Sequence, residues 1–405
     1  MFRFSILKDV LSFPSVKTIC ILAAAIRILF ASVFTDFTTD YYWEYGEIGK
    51  NILGGKGYSF FYFQDDSLQY RASRITSPFP SAYMPPGYVG FLLPFLTIET
   101  HAVRNTLIVL SHIIIAITTV VMMYVFSKKC FTENIGVLSG LIAAMAPDFL
   151  YAIISYTPTV IFHCGIVCIM LLLNSNRFST MTGIALGIAL SFMIYLRSEF
   201  SIFVLLLTLV FTFRREWKKL VVVTSVVILC LVPWTVRNYS IFHTFVPFTT
   251  SVGLNLYRGN NEDEIGAWGN SMTNEQAQTL PRNELFEIGY NSIFLDSAID
   301  YITANPITVA QSVPVKLFDL WIFNRHSERN NWYYNIYSLL FSTLFFIGLI
   351  RSATTKQTFL YLFFVYFSVV VSVFFCLPRY QTMMRIGMIP FVAIGIEYIR
   401  AIFNK

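Results

Sequence analysis

Residues 104–129 read RNTLIVLSHIIIAITTVVMMYVFSKK, an apolar run that ends in two lysines. A helix needs about 20 predominantly apolar residues to cross a lipid bilayer, and this run is long enough to do so. Nine further stretches have the same character, so the sequence predicts a polytopic membrane protein. The ten predicted spans lie near residues 18–34, 104–127, 134–150, 158–174, 178–196, 199–213, 219–236, 334–350, 357–377 and 384–402.

The composition agrees with lipid as the main solvent of this chain. Of its 405 residues, 56% are hydrophobic and 13% are charged. A soluble domain has about 25% charged residues, so this chain has too few to cover a water-soluble globule. The net charge of +6 is therefore interpreted through its distribution over membrane loops. We expect the lipid bilayer as a partner, and no nucleic acid.

Basic residues occupy alternate connections between the predicted spans. They are Arg3, Lys8, Lys17, Lys128, Lys129, Arg177, the run Arg214–Lys219, Arg351, Lys356 and Lys405. Because cytoplasmic loops are enriched in Lys and Arg, both termini are predicted to be cytoplasmic. Arg27 interrupts the first apolar run, which favours an uncleaved first helix over a signal peptide.

The remaining connections then face outward and hold most of the acidic and tryptophan side chains. They are 35–103, 151–157, 197–198, 237–333 and 378–383. The sequence therefore predicts a multi-pass protein of the plasma (inner) membrane with its active site on the outer face, periplasmic in a Gram-negative cell. Within the first loop, Thr39 is predicted to cap an amphipathic helix that ends at Gly54 and Gly55.

Five segments, in this order, resemble those of one group of membrane glycosyltransferases. They are TDYYWEYGEIGKNILGGKGYS (39–59), AYMPPGYVGFL (82–92), IYLRSE (194–199), VPWTVRNYSIFHTFVPFTTSVGLNLYRGNN (232–261) and PRYQTMM (378–384). The fourth segment is long and fairly specific, and together the segments extend over nearly the whole chain. The sequence resembles the bacterial branch of the dolichyl-phosphate-mannose protein mannosyltransferase group, which includes the aminoarabinose transferase of lipid A, in the GT-C superfamily.

The resemblance implies an all-α, GT-C-type bundle of about ten transmembrane helices, with residues 1–405 forming a single domain. It also implies an inverting transferase whose donor is a sugar on a polyprenyl phosphate and whose acceptor is a lipid, a glycan or a protein. An acid in the first outer loop would serve as general base, and basic residues would hold the lipid phosphate. No cofactor is implied, and no metal, because Asp65 and Asp66 alone are too few ligands.

Three carboxylates of the first outer loop are candidates for the general base. Asp40 is favoured because it lies at the start of the predicted helix, and Asp36 and Glu44 are its rivals. A carboxylate there can accept the proton of an acceptor hydroxyl, although an acid at a helix start also simply complements the helix dipole. The second acid that many relatives carry is in doubt here, since Asp148 precedes its usual position in APDFLYAIISYTPTVIF (146–162).

Three arginines at the outer ends of separate predicted spans are candidates for binding the donor phosphate. They are Arg237, Arg379 and Arg197. Arginine binds phosphate through two parallel hydrogen bonds, so three converging side chains would suit this ligand. The alternative is that each arginine contacts lipid headgroups, and that Arg197 pairs with the nearby Glu199.

The last group of candidates is expected to line the substrate pocket. They are Tyr45, Tyr83, Pro85, Pro86, Gly87, Tyr88, Asn255 and Asn260. The PPGY segment is equally typical of a structural corner, and the asparagines are equally typical of a turn.

Two other functions stay open at this stage. An O-antigen-type polymerase also has many spans, a large outer loop and arginines that act on a lipid-linked sugar. A lipid or glycan transporter would carry charged residues near the middle of its helices. Here Arg27 is the main charge within a span and the acids cluster outside, which favours an enzyme of the outer face.

Overall fold

The computed structural model describes residues 15–71, 77–175, 178–262, 274–325, 331–352 and 358–404. Some basic residues that predict the topology lie outside these described residues. They are Arg3, Lys8, Arg177, Lys356 and Lys405.

The described part of the chain folds almost entirely into helices. These are α1 (Val16–Phe34), α2 (Trp43–Leu53), α3 (Pro86–Leu96), α4 (His101–Cys130), α5 (Glu133–Met145), α6 (Pro147–Ala152), α7 (Thr159–Leu173), α8 (Thr180–Leu196), α9 (Phe200–Phe213), α10 (Trp217–Phe242), α11 (Val252–Gly259), α12 (Asn274–Gln278), α13 (Phe286–Ala304), α14 (Pro306–Trp321), α15 (Trp332–Arg351), α16 (Thr358–Val373) and α17 (Pro378–Phe403). A short antiparallel hairpin joins β1 (Tyr62–Gln64) to β2 (Ser67–Gln69), with Phe63 opposite Leu68.

Ten of the eleven apolar helices in the described residues coincide with the ten predicted spans, and the eleventh, α3, lies outside them. Among the described residues, α1, α4, α10, α15 and α17 are long and apolar enough to cross a membrane. The helices α5, α7, α8, α9 and α16 are also apolar but shorter, from 13 residues in α5 to 17 in α8. A helical membrane protein is therefore confirmed, while the number of ten spans stays a prediction.

The bundle is built around α17, which packs against α5, α7, α15 and α16. Every residue from Tyr380 to Ala393 is buried. Helices α15 and α17 approach closely, because a Cβ atom at Gly348 would lie 1.8 Å from the backbone oxygen of Phe391. Helix α10, in contrast, has few buried residues and exposes apolar side chains on most of its surface, as expected of a helix that faces lipid.

Arg27 is buried in α1 and binds the end of α5. Its guanidinium donates to the backbone carbonyls of Ala143 and Ala144, each at 2.8 Å. The last carbonyls of a helix have no partner within the helix and carry partial negative charge, so Arg27 caps α5. With 13 residues, α5 is about 20 Å long, shorter than the roughly 30 Å hydrocarbon core of a bilayer. Pro147 then starts α6.

Helix α2 begins later than the sequence predicts. The prediction that Thr39 caps this helix is wrong, because the helix starts at Trp43 and its N-cap is Tyr42. The Thr39 hydroxyl instead accepts a hydrogen bond from the Tyr41 N–H and closes a local turn, which competes with helix formation. The helix ends at Gly54 as predicted.

Candidate functional site

A cavity of about 1100 Å³ lies where the segment 35–103, predicted to be the first outer loop, meets α6, α8, α11 and α17. Its lining comes from segments that are far apart in sequence, including 34–45, 83–85, 148–159, 196–199, 251–258 and 376–382. Pockets for small ligands usually have about 300–1,000 Å³, so this cavity has room for a large ligand or for two small ones.

Three arginines line this cavity. Arg197 follows the last residue of α8, and its Nε atom lies 2.5 Å from Oε1 of Glu199. Arg258 lies in the last turn of α11 and hydrogen-bonds the Tyr83 hydroxyl. Arg379 is exposed in the first turn of α17 and makes no hydrogen bond or ion pair with any residue that the structure describes. Because the N-terminus of a helix also attracts anions, Arg379 is well located to bind one.

Two of the three candidate acids line the same cavity. Glu44 lies half-buried in the first turn of α2 and, within the described ranges, has neither a hydrogen-bond donor nor an ion-pair partner. Asp36 is exposed and accepts hydrogen bonds from the Thr38 hydroxyl and N–H, at 2.6 and 2.9 Å. Those hydrogen bonds lower the pKa of Asp36. Glu44 is therefore the carboxylate whose oxygen atoms are free to accept a proton.

Asp40 is held by cations and does not belong to the residues that line the cavity. Its carboxylate lies 2.6 Å from Arg104 Nη1, 2.9 Å from Lys50 Nζ and 3.8 Å from His101 Nε2. Although partial burial opposes the effect, the hydrogen bonds and charges of Lys50 and Arg104 lower the pKa of Asp40. The ion pairs fasten the loop before α2 to α4, and a catalytic role for Asp40 stays a prediction.

Arg237, the first candidate for the phosphate, also lies outside the cavity lining. Its guanidinium donates to the backbone oxygens of Ser81 and Tyr58, at 2.6 and 2.9 Å, and to Oδ1 of Asn238 at 2.9 Å. These contacts tie α10 to the first outer loop. A phosphate would have to compete with them for the same donors.

Half of the predicted pocket residues line the cavity. Those that do are Tyr45, Tyr83, Pro85 and Asn255, and those that do not are Pro86, Gly87, Tyr88 and Asn260. Gly87 permits close packing of α3 on α8, since a Cβ atom there would lie 2.6 Å from the Tyr195 oxygen. The buried Tyr88 hydroxyl lies 3.3 Å from His112 Nε2, and the Asn260 amide donates to a backbone carbonyl in α16.

Asp148 lines the cavity although it is buried. Its carboxylate accepts hydrogen bonds from Arg385 Nη1 at 2.5 Å, from the Tyr337 hydroxyl at 2.8 Å and from the Tyr334 hydroxyl at 3.2 Å. These contacts join α6 to α15 and α17. The sequence alone does not reveal them, since Asp148 and Arg385 are 237 positions apart. Arg258 lies within LYRGNN (256–261), at the end of the fourth segment that resembles the membrane glycosyltransferases, and that segment is the sequence signal for it.

The described residues contain no group of three or more Asp, Glu, His or Cys side chains that could hold a metal ion. Asp66, in the turn of the β1–β2 hairpin, pairs with Arg282 at 2.6 Å. Independence from metal ions stays a prediction.

No family model matches this chain, and no curated protein does so either.

Solved structures, in contrast, resemble its fold. The archaeal oligosaccharyltransferase AglB from Archaeoglobus fulgidus, in complex with an inhibitory peptide and a dolichol-phosphate, has a TM-score of 0.56 and 10% identity over 96% of this chain and 51% of that chain. The Archaeoglobus fulgidus oligosaccharyltransferase in complex with Zn and sulfate has a TM-score of 0.55 and 10% identity over 95% and 49%. ArnT from Cupriavidus metallidurans bound to undecaprenyl phosphate reaches only 0.38, with 11% identity over 93% and 78%, which is too weak to support an argument.

This chain spans about half the length of the archaeal proteins that it matches. The chain therefore shares the fold of these oligosaccharyltransferases, which agrees at the level of the fold with the resemblance read from its sequence motifs.

Proposed function

We propose that this protein is an integral-membrane glycosyltransferase that moves a sugar from a polyprenyl phosphate to an acceptor on the non-cytoplasmic face. The observation that carries the proposal is a single cavity that contains both Glu44 and Arg379, each without a hydrogen-bond or ion-pair partner among the described residues. A free base and a free cation in one cavity suit a displacement that releases a proton at one end and an anion at the other. The GT-C-type fold supports this reading, because AglB of that fold was solved with a dolichol-phosphate.

In the proposed reaction, an acceptor hydroxyl attacks the anomeric carbon of the donor sugar while the bond from that carbon to the phosphate oxygen breaks. Glu44 accepts the proton of the hydroxyl as the new bond forms. Attack from the side opposite the leaving phosphate inverts the configuration of the anomeric carbon. The phosphate departs on its lipid with one more negative charge than it had in the donor.

The arginines of the cavity would stabilise that charge where it develops. Arg379 contributes a guanidinium with all its donors available, and Arg258 and Arg197 line the same cavity. Guanidinium groups bind phosphate oxygens through charge-assisted hydrogen bonds that are about twice as strong as neutral ones. Arg237 becomes a positioning residue in this proposal, because its donors already hold Tyr58 and Ser81.

Glu44 is preferred to Asp40 as the base because of what surrounds each carboxylate. Asp40 is paired with Arg104 and Lys50, and such pairing makes a carboxylate a weaker base. Asp36 also lines the cavity, but two hydrogen bonds from Thr38 stabilise its charged form.

The orientation toward the non-cytoplasmic face is supported by α4. Asn105, near the start of α4, donates to the backbone oxygens of Phe37 and Thr39 in the loop that lines the cavity. Lys128 and Lys129 lie at the other end of this helix of 30 residues, about 35 Å from Asn105 along the helix axis. Because the lysine pair indicates the cytoplasmic side, the cavity belongs to the opposite side.

A transfer assay with purified protein in nanodiscs tests the proposal. Mass spectrometry first compares the lipids and glycans of a deletion strain with those of the parent strain and so identifies the missing sugar. The purified protein is then given this sugar either on a polyprenyl phosphate or on a nucleotide, in separate reactions that each contain EDTA. We expect turnover of the lipid-linked form alone. Turnover of the nucleotide sugar without a lipid carrier would overturn the proposal.

Amide variants of the three acids identify the base. We expect Glu44→Gln to lower the rate by about 10²–10⁴-fold, the usual contribution of a general base. Asp40→Asn and Asp36→Asn serve as matched controls, and we expect each to lower the rate less than Glu44→Gln does. A Glu44→Gln rate above one tenth of wild type, a threshold of about 1.4 kcal/mol, would exclude Glu44.

A further inference from the structure

One wall of the cavity is aromatic and is not used by the reaction described above. Tyr41, Trp43 and Tyr151 line the cavity. Trp43 and Tyr151 are 46% and 45% exposed, so their rings are available to a ligand. The Tyr41 and Trp43 rings are neighbours, with centroids 5.7 Å apart.

The backbone at this wall is strained in two places. Trp43 has φ +57 and Tyr156, which also lines the cavity, has φ +49. A left-handed conformation at a bulky residue costs about 1–3 kcal/mol and persists only where the surroundings fix it. Here the Trp43 Nε1–H donates to the backbone oxygen of Ser155 at 3.1 Å. The Tyr156 hydroxyl donates to the backbone oxygen of Asp36 at 3.2 Å. The hydrogen bond from the indole Nε1–H therefore holds the Trp43 ring in one orientation.

A row of hydroxyl groups runs beside this ring. The Ser155 and Thr157 hydroxyls are 2.8 Å apart, the Thr157 and Thr159 hydroxyls are 2.9 Å apart, and all three residues line the cavity. The Ser155 hydroxyl donates to the Ala152 backbone oxygen at 2.9 Å, so Thr157 donates to Ser155 and Thr159 donates to Thr157. Each hydroxyl has one proton and two lone pairs, so the row keeps lone pairs that can accept hydrogen bonds from a ligand. A flat apolar face thus lies next to a row of acceptors.

We infer that Trp43 and the hydroxyls of Ser155, Thr157 and Thr159 form a subsite for a pyranose ring, and that this ring belongs to the acceptor. The inference rests on the proposed function and adds the class of acceptor, a glycan or a glycolipid. A pyranose has a C–H face that packs on an indole and an edge of hydroxyl groups that can donate to the lone pairs of this row.

The assignment to the acceptor follows from Glu44. A general base must lie within hydrogen-bond reach of the hydroxyl that it deprotonates. Trp43 directly precedes Glu44 in the chain, and both line the cavity. The donor phosphate, in contrast, belongs with Arg379. An acceptor bound on Trp43 would therefore present its hydroxyl to Glu44.

Binding is tested without turnover, by fluorine NMR of the full chain labelled with 5-fluorotryptophan in nanodiscs. The Trp43 signal is assigned by its loss in Trp43→Phe, and Trp332, which is 75% exposed but outside the cavity lining, is the control signal. The probes are methyl pyranosides of the gluco, galacto, manno and N-acetylglucosamine series, and a blocked Ser/Thr/Asn peptide. We expect a saturable shift of the Trp43 signal with at least one pyranoside, none with the peptide, and no shift at Trp332.

The absence of a saturable shift with every pyranoside, or a shift with the peptide alone, would overturn the subsite. This outcome is independent of the proposed function, because a protein that transfers no sugar can still bind a pyranoside at Trp43, and a glycosyltransferase can fail to do so.

The transfer assay then separates the acceptor from the donor. An aromatic contact contributes about 0.5–1.5 kcal/mol, so Trp43→Leu should raise the acceptor KM about 2- to 12-fold and leave the donor KM unchanged. Trp43→Phe, which keeps an aromatic face, should restore most of the affinity, and Trp332→Leu should have no effect. A rise in the donor KM alone would assign the ring to the donor sugar and overturn the acceptor assignment.

Discussion

A buried carboxyl group beside the cavity makes the stability of this protein depend on pH. Glu287 in α13 accepts hydrogen bonds from the Ala82 N–H at 2.8 Å and from the Thr250 hydroxyl at 2.6 Å. It thereby joins the segment before Tyr83 to the segment before α11, and both segments continue into the cavity lining. Burial raises the pKa of Glu287 from 4.5 to about 7, although these hydrogen bonds and the charge of Arg237 oppose the shift.

The direction of the effect follows from proton binding. Between pH 4.5 and 7 the folded protein keeps the proton of Glu287 while the unfolded chain has lost it. Raising the pH therefore favours the unfolded state by about 1.4 kcal/mol per pH unit, and by about 3 kcal/mol over the interval. Below pH 4.5 both states hold the proton and above pH 7 both have lost it, so the contribution is constant there.

The variant Glu287→Gln isolates this contribution. Its side-chain oxygen can accept the same two hydrogen bonds, and it does not ionise. We expect the free energy of unfolding of the wild type to fall by about 3 kcal/mol relative to Glu287→Gln between pH 4.5 and 7, measured by equilibrium unfolding in a denaturing detergent. Glu284→Gln, at an exposed position nearby, is the control. Equal pH slopes for the wild type and Glu287→Gln would refute the reasoning.

Three further predictions concern packing, capping and topology. Gly87→Ala should destabilise the protein by about 1–3 kcal/mol, because the new Cβ meets the Tyr195 backbone. Gly90→Ala in the same helix should not destabilise the protein, because a Cβ atom at Gly90 has no other atom within 4 Å. Equal thermal midpoints for Gly87→Ala and Gly90→Ala would contradict this prediction. Arg27→Leu should lower the free energy of unfolding by at least about 1–3 kcal/mol, since it leaves buried carbonyls unpaired, and Arg27→Lys should lower it less. Equal free energies of unfolding for the two variants would show that Arg27 does not cap α5. A cysteine at Ser271, which lies outside the described residues, should react with a membrane-impermeant thiol reagent in intact cells; reaction only after the cells are broken would reverse the topology.

The sequence predicts the helical membrane fold well because that fold depends on local properties. Apolar length alone identifies a helix such as α4, and Lys128 and Lys129 at its end indicate its orientation. The start of α2 is missed for an equally local reason. The Thr39 hydroxyl bonds to the Tyr41 N–H, and the composition of the segment does not distinguish this turn from a helix cap.

The candidate site is less predictable because it depends on contacts between distant residues. The sequence favours Asp40 over Glu44 as the base, and only the fold brings Arg104, 64 positions away, to Asp40. In the same way Arg237 reaches the Ser81 backbone across 156 positions, whereas Arg379 donates no hydrogen bond to any residue in the described part of the chain. Which arginine is available to a ligand is therefore decided by tertiary packing.

The short helix α5 has a consequence for the work that the proposed enzyme must do on its lipid. Removing a polyprenyl chain from the bilayer would require about 0.8 kcal/mol for each methylene-sized group. A carrier with a few dozen such groups would then exceed the roughly 18–21 kcal/mol that even the tightest complexes provide. Because α5, which Arg27 caps, is about 10 Å shorter than the hydrocarbon core, we expect α6 and the cavity wall to begin below the headgroups. In the proposed reaction the polar site would then reach the carrier within the bilayer, and the isoprenoid tail would stay dissolved in the membrane.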